Sequence, residues 1–413
     1  MKASWAGPPI AVVGIGADGW EGLGRAGRDA IADGAVVFGS ARQLELIPEG
    51  VGGVRRRWPS PLVPALPALF GEVAGRRVTV VASGDPMFYG IGVTLVGLFG
   101  AQALRVLPQP SSASLACARL GWSSAETPVV SAVGRPLTAI LPELSDRRRL
   151  LVLTPDAKGP AAVAELLRDN GFGGSAITVL EQLGGPAERV VSGVAASWDR
   201  PPGDPLTIVA VECAAEPGRP RLTRVPGLPD AAYSGDGQLT KAEVRALTLS
   251  ALAPAPGEAL WDVGGGSGTI AIEWCRTHPA CRAVSFERVE SRRRQITDNA
   301  AALGAARVLV RGAVPQDLDG VPDEFGAPDA IFVGGGLTAD GLLETLWSHL
   351  RHGGRLVANA VTAESESLLV AAARARGGEL RRFQIYRGEE LGNFTAWRPH
   401  LPVAQWTVTK TGP

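Results

Sequence analysis

The sequence is most informative first in what it lacks. It has no apolar run of about 18 residues, so no helical membrane span is expected. The opening stretch MKASWAGPPIAVVGIG is apolar only briefly before glycines break it, which does not fit a secretory signal. Cysteine is scarce: Cys117, Cys213, Cys275 and Cys281 are all there are. None forms a C-x-x-C pair or sits near a histidine in a zinc spacing, so no metal site is expected. Such cysteines read as reduced and buried, and the expected location is cytoplasmic. There is no net charge: 41 Lys plus Arg balance 41 Asp plus Glu. A nucleic-acid partner usually leaves a basic footprint, so none is expected.

What is present suits a folded enzyme. The 413 residues suggest two or three domains, and 45% hydrophobic against 20% charged residues suits large cores. Arginine far outnumbers lysine. That bias fits bidentate recognition of an acidic small substrate, and GC-rich coding would give the same bias.

Short apolar runs alternate with helical patterns along the chain. IAVVGIG, RVTVVASG, LRVLPQ, RLLVLTP and AITVLEQ read as strands, and GPAAVAELLRDNGF as a helix with a glycine stop. Alternation of this kind predicts parallel α/β sheets. The pattern breaks after PLTIVAVECA, where AEPGRPRLTRVPGLPDAAYSGDGQ is rich in Pro, Gly and Asp. The reading is a first domain over 1–215, a linker over 216–236 and a second domain over 237–413. In the second domain strands are expected near 259–263, 283–287, 308–310, 330–333 and 355–359. The tail LRRFQIYRGEELGNFTAWRPHLPVAQWTVTK reads as two strands joined by a loop.

The loop LWDVGGGSGTIAIEW follows an apolar strand and opens a helix. Gly264, Gly266 and Gly268 are spaced G-x-G-x-G, with Gly265 and Ser267 between. Glycines let the backbone turn tightly and come close to a ligand, and the helix start adds free N–H groups. A dinucleotide loop needs G-x-G-x-x-G, and here Thr269 stands at the sixth position. The G-x-G-x-G form after an acidic strand end resembles motif I of the S-adenosylmethionine-dependent methyltransferases. That ligand carries an ammonium group, which Asp262 suits, directly or through water. Glu287, at the next strand end, suits both ribose hydroxyls. After the third strand many such enzymes place an Asp near adenine. This chain has Ala313 there, so the contact falls to the backbone.

A second glycine loop, VVGIGADGWEGLG, satisfies G-x-G-x-x-G with Gly14, Gly16 and Gly19. Its context excludes a nicotinamide site: Gly22 and Gly24 delay the helix, and the next strand ends in Gly39 and Ser40 without an acid. With VVASGDPMFYGIG and PQPSSASLACARLGW, the region resembles the tetrapyrrole methylase family. That resemblance implies two α/β lobes, split near 108, with S-adenosylmethionine in the cleft. It implies that Asp85, Phe88, Ser111 and Ser112 face the cofactor, and that Gly14 and Gly16 border the substrate. Read alone, Asp85-Pro86 is equally an ordinary turn.

Both folds in this order, with LTPDAKGPAAVAELL, LEQLGGPAERV and DGQLTKAEVRALTLSALAP between the loops, resemble the precorrin-6Y C(5,15)-methyltransferase (decarboxylating) family over nearly the whole chain. Ser40, Gln43 and Val314 depart from that family's usual residues. The resemblance implies an α/β protein with a two-lobed tetrapyrrole methylase fold followed by a Rossmann-like class I methyltransferase fold. It implies methylation of precorrin-6B at carbons 5 and 15, with loss of the ring C acetate carboxyl at carbon 12, to give precorrin-8X in cobalamin biosynthesis. The first half is implied for carbon 5, the second for carbon 15 and the decarboxylation. A homo-oligomer is implied, a tetramer through the C-terminal domain. By family match Thr240 touches the cofactor.

Methyl transfer gains mainly from alignment, and the enamine-like ring carbons need no strong base. Decarboxylation needs an electron sink, which the conjugated ring supplies. His278, His349 and His352 are assigned no chemistry, and the catalytic candidates are Asn359, Thr362 and His400. Lys241, Arg245, Arg387 and Arg398 are candidates for substrate carboxylates. Rival readings are a methyltransferase acting on RNA or protein, and a scaffold with a lost site.

Overall fold

A computed structural model describes residues 5–235, 237 and 239–412. Met1–Ser4, which open the stretch read for a signal, lie outside the described residues. So do Asp236, at the end of the stretch read as a linker, and Gln238 and Pro413 of the expected second domain. The chain forms two compact units. The first takes in the chain up to Arg135 and Asp146–Pro217; the second takes Pro136–Ser145 and the chain from Gly218 onward.

In the first unit one sheet contains β1 (Ile10–Ile15), β2 (Val36–Gly39), β3 (Val54–Arg57), β4 (Val78–Ser83) and β5 (Leu104–Leu107). Their order is β3-β2-β4-β1-β5, and every pairing is parallel. Strand β1 shows why. Ile10 and Val12 enter one core cluster with Phe38, Phe70 and Leu95, while Val13 and Ile15 enter another with Ile31 and Val37. Both faces are covered, as a parallel sheet requires. The chain then passes to a second sheet of β6 (Val129–Ser131), β7 (Arg149–Leu153), β8 (Ala176–Glu181), β9 (Arg189–Val194) and β10 (Thr207–Glu212). Their order is β6-β7-β10-β8-β9, antiparallel except for β6 with β7. The helix Ser112–Leu120 packs on this second sheet through Ala113, Ala116 and Cys117.

The second unit is built on β11 (Ala259–Val263), β12 (Arg282–Phe286), β13 (Val308–Arg311), β14 (Ala330–Val333) and β15 (Arg355–Ala360). With β16 (Glu379–Phe383) and β19 (Val403–Thr409) they make one sheet of order β13-β12-β11-β14-β15-β19-β16. The five are parallel, and buried clusters lie on both faces: Leu260 and Ala283 on one, Trp261, Val284 and Phe286 on the other. This is a Rossmann-like doubly wound sheet.

Three readings of the sequence need correction. The tail holds four strands: β16 (Glu379–Phe383), β17 (Tyr386–Leu391), β18 (Phe394–Pro399) and β19 (Val403–Thr409). β19 and β16 extend the main sheet antiparallel, and β17 with β18 forms a separate hairpin where a loop was expected. The segment Pro136–Ser145 clusters with the second unit, not the first, because Glu143 pairs with Arg224 and the Thr138–Pro142 stretch packs on Gly304. The stretch read as a linker is irregular but docked. Leu228 and Tyr233 are buried in the core with Trp274, and Gly227 and Leu228 donate backbone N–H groups to Glu273.

Candidate active sites in the two units

In parallel sheets, ligands gather at the carboxyl ends of the strands. In the second unit β11, β12, β13 and β14 are neighbours, and their carboxyl ends carry Asp262 with the glycine loop, Glu287, Gly312-Ala313 and Gly334-Gly335. Gly264 has φ +76°, and a Cβ there would lie 2.7 Å from the Gly335 amide nitrogen. Only glycine lets these two loops pack backbone to backbone. Gly264 and Gly265 both donate to the Phe286 carbonyl at 3.0 Å, and Gly268 begins the helix Thr269–Thr277.

Two carboxylates line this edge. Asp262 is 1% exposed and accepts from the Ser285 hydroxyl at 3.1 Å. Burial pushes its carboxyl up to about 7, with that hydrogen bond opposing and the Glu287 charge adding. Glu287 is 6% exposed. Its Oε2 accepts from Gly266 N and its Oε1 from Val289 N, each at 2.9 Å. Each oxygen keeps a lone pair for a further donor. Among the described residues no basic side chain forms an ion pair with either acid. Unpaired buried carboxylates are costly, and a cationic ligand would offset that cost. The residues therefore fit S-adenosylmethionine: an acid for its ammonium group, an acid for its ribose, and glycines for close approach.

In the first unit β4, β1 and β5 are neighbours, and three loops meet at their carboxyl ends. A Cβ on Gly14 would overlap the Gly84 carbonyl, which also accepts from Gln109 N at 3.2 Å. Asp85 Oδ1 accepts from Met87 N at 2.8 Å, so this acid does shape a turn. Phe88 packs against the second sheet's cluster beside Leu115. Ser111 is the N-cap of the helix Ser112–Leu120 and accepts from Ser114 N at 3.1 Å. Gly16, beside Asp18, lies in the loop after β1, which reaches the other lobe where Gly185 comes against Ala17. The arrangement puts small residues along this edge of the first sheet.

Comparison with known proteins bears on both sites. Residues 9–198 match the family of tetrapyrrole (corrin/porphyrin) methylases, and residues 231–410 match the precorrin methyltransferase domain. A precorrin-6Y C(5,15)-methyltransferase [decarboxylating] of Mycobacterium tuberculosis is 49% identical over 97% of this chain and 100% of its own length. One from a Sinorhizobium species is 45% identical over 98% of this chain and 97% of its own. The chain belongs to the precorrin-6Y C(5,15)-methyltransferase (decarboxylating) family. It is a methyltransferase of cobalamin biosynthesis that uses S-adenosylmethionine. A narrower relative, a cobalt-precorrin-7 C(5)-methyltransferase of Salmonella typhimurium, is 32% identical over 46% of this chain and 94% of its own length.

In this member of the precorrin-6Y C(5,15)-methyltransferase family, several expected residues are engaged by other groups of the protein. Arg245 is fully buried, so the expectation that it meets substrate is corrected. Its guanidinium binds Glu273 at 2.7 Å, Asp230 at 2.8 Å, and the Leu228 and Thr240 carbonyls. Thr362, a catalytic candidate, caps the helix Ala363–Arg376 by accepting from Ser365 N at 3.3 Å. Asn359, a second catalytic candidate, donates to the Thr248 hydroxyl at 2.9 Å and accepts from Gln405 at 3.0 Å, in a polar cluster. Arg387 pairs with Glu243 at 2.7 Å, and exposed Arg398 pairs with Glu389 at 3.0 Å across the hairpin. Lys241 stands at the N-cap of the helix Ala242–Leu252. His400 is held by its backbone, donating to Ile385 O at 2.8 Å.

Three residues that no motif marks belong to the site. Buried Asn299 donates to Ser267 O and Ser234 O, each at 3.1 Å, and accepts from Ser234 N at 2.9 Å. Gln295 donates to the Ser267 hydroxyl at 2.9 Å and to Ser234 O at 2.6 Å. Together they tie the segment before Thr240 to the glycine loop. Asp317 brings an acid near position 313: its carboxylate lies close to Gly312, and its amide donates to Ala313 O at 3.0 Å.

Proposed function

We propose that the first unit methylates carbon 5 of a precorrin-6B-derived ring. The second methylates carbon 15 and releases carbon dioxide from the ring C acetate, giving precorrin-8X. The relative named for C(5) methylation alone matches under half of the chain, which supports separable activities. A methyltransferase acting on RNA or protein is not favoured by the full-length relatives. The division at about residues 215–237 follows from the same reading, with 136–145 serving the second unit.

The observation that carries the second site is the pair of buried, unpaired acids on the glycine loop. S-adenosylmethionine supplies an electrophilic methyl group on a sulfonium. Asp262 would hold its ammonium group and Glu287 its ribose. Gly264–Gly268 give close approach, Asp317 and the Ala313 backbone face its base, and Thr240 closes the edge. In the first unit Asp85, Phe88, Ser111 and Ser112 would hold the second molecule, with Gly14 and Gly16 beside the ring. The protein's work is alignment and exclusion of water, not proton transfer. Glu287→Gln should weaken cofactor binding by roughly tenfold or more and stop carbon 15 methylation while carbon 5 methylation continues. Mass spectrometry of the products decides it. Unchanged methylation at carbon 15 would remove the role of Glu287.

The enzyme is also read as a homo-oligomer, a tetramer formed through the second unit. The hairpin β17–β18 supports this, because Leu391, Phe394 (80% exposed) and Trp397 (73% exposed) stand out of it. Light scattering should show Phe394→Ser with Trp397→Ser shifted to a smaller species, and an unshifted mass would count against the hairpin. Four buried cysteines, none of them in a disulfide among the described residues, support a cytoplasmic location.

A further inference from the structure

Arg42 is a half-buried cation of the first unit with no carboxylate partner among the described residues. It lies in the short helix Ala41–Glu45, which follows β2. β2 neighbours β4, so Arg42 sits on the same carboxyl edge as Gly14 and Gly84. Its guanidinium donates to the Ser83 hydroxyl at 2.9 Å, and Ser83 is the last residue before Gly84 and Asp85. Gln43 donates to the same hydroxyl at 3.0 Å. Gln43 also accepts from Ser40 N at 2.8 Å while Ser40 caps Gln43 N, a reciprocal box that fixes the turn. The guanidinium is therefore tied to Ser83, on a turn closed by its own capping box.

Among the described residues no carboxylate lies within ion-pair distance of Arg42. The other half-buried arginines of this lobe are satisfied: Arg28 by Glu21, Arg56 by Glu72, and Arg55 by carbonyls. The acid that Arg42 feels is Asp204, whose oxygens already accept from Leu206 N and Gln182. Burial lowers the guanidinium's pKa below its ordinary value, the mark of a cation short of partners. A partly desolvated arginine at the rim of a cleft gains most from a bidentate carboxylate.

We propose that Arg42 anchors a carboxylate arm of the tetrapyrrole in the first unit's cleft, with Ser83 and Gln43 as its positioning residues. This rests on the reading of that cleft as the carbon 5 site. It predicts a substrate-specific effect, because the side chain holds the ring and not the methyl donor.

The test uses full-length Arg42→Gln and Arg42→Lys. For Arg42→Gln, KM for the tetrapyrrole in carbon 5 methylation should rise by roughly tenfold to a hundredfold. KM for S-adenosylmethionine and methylation at carbon 15 should hold, and Arg42→Lys should recover part of the loss. Tetrapyrrole binding, followed by the ring's own absorbance without turnover, should weaken in step. An unchanged tetrapyrrole affinity overturns the inference. So does a loss confined to S-adenosylmethionine, which would make Arg42 a prop for the cofactor loop. If the parent enzyme places no methyl on carbon 5, the functional reading falls, and the binding measurement still decides whether Arg42 holds a carboxylate.

Discussion

At the scale of single residues, Asp262 is the group whose state matters most. Burial raises its carboxyl to about 7, so the folded protein prefers the neutral form. Stability from that preference is fully present below the ordinary carboxylate range of about 4 and is lost as pH rises through about 7. A cationic ligand needs the opposite state. Affinity for S-adenosylmethionine at this site should therefore fall below pH ~7, approaching tenfold per pH unit. Calorimetry in a Gly14→Val background, whose side chain overlaps the Gly84 carbonyl and so displaces the Asp85 loop that would hold the first unit's cofactor, isolates this site. Asp262→Asn should bind weakly with no slope, and a parent affinity flat from pH ~6 to ~8 would refute the pairing. The glycines, Asp262 and Glu287 were legible because a strand, a turn and an acid at fixed spacing are local features. Arg245 misled because burial is not local: nothing in TKAEVRALT says that Glu273 waits beneath it. Asn299 and Gln295 were invisible for the same reason, since their partners lie 28 and more residues away.

At the scale of elements, the stretch from Leu222 to Tyr233 behaves as a strap rather than a linker. Arg245, Glu273, Tyr233 and Asp230 form its buried fastening, and the Tyr233 hydroxyl donates to Glu273 at 2.8 Å. Removing one member leaves an uncompensated charge, so Glu273→Gln or Arg245→Met should cost about 3–5 kcal/mol. Thermal unfolding of the second unit measures that cost, and the double variant should lose less than the sum of the two. Full additivity would mean that the residues do not act as one network. Pro and Gly in the strap hid its order, because they exclude helix and strand without excluding a docked irregular path. The tail failed for a different reason. YRGEEL and NFTAWRP alternate weakly and are mostly exposed, so no buried face signalled two more strands.

At the scale of the whole molecule, two methyl-transfer sites built on different sheets share one chain and one substrate. Each cofactor loop is completed by residues of its own unit: Gly14, Gly84 and Ser111 in the first, and Asp262, Glu287 and Asn299 in the second. Loss of one site should therefore leave the other's chemistry intact. Gly14→Val overlaps the Gly84 carbonyl and should halt the enzyme at a ring decarboxylated and methylated at carbon 15 only. Glu287→Ala should yield a ring methylated at carbon 5 at most. Mixing the two full-length variants is the decisive case. If the half-finished ring leaves one chain and enters another, the mixture regains the doubly methylated, decarboxylated product, at a rate that rises with protein concentration. That is the expected result, since two self-contained sites require no hand-over within a chain. A mixture that never exceeds the two partial products would show instead that the ring stays with one assembly from first methylation to last.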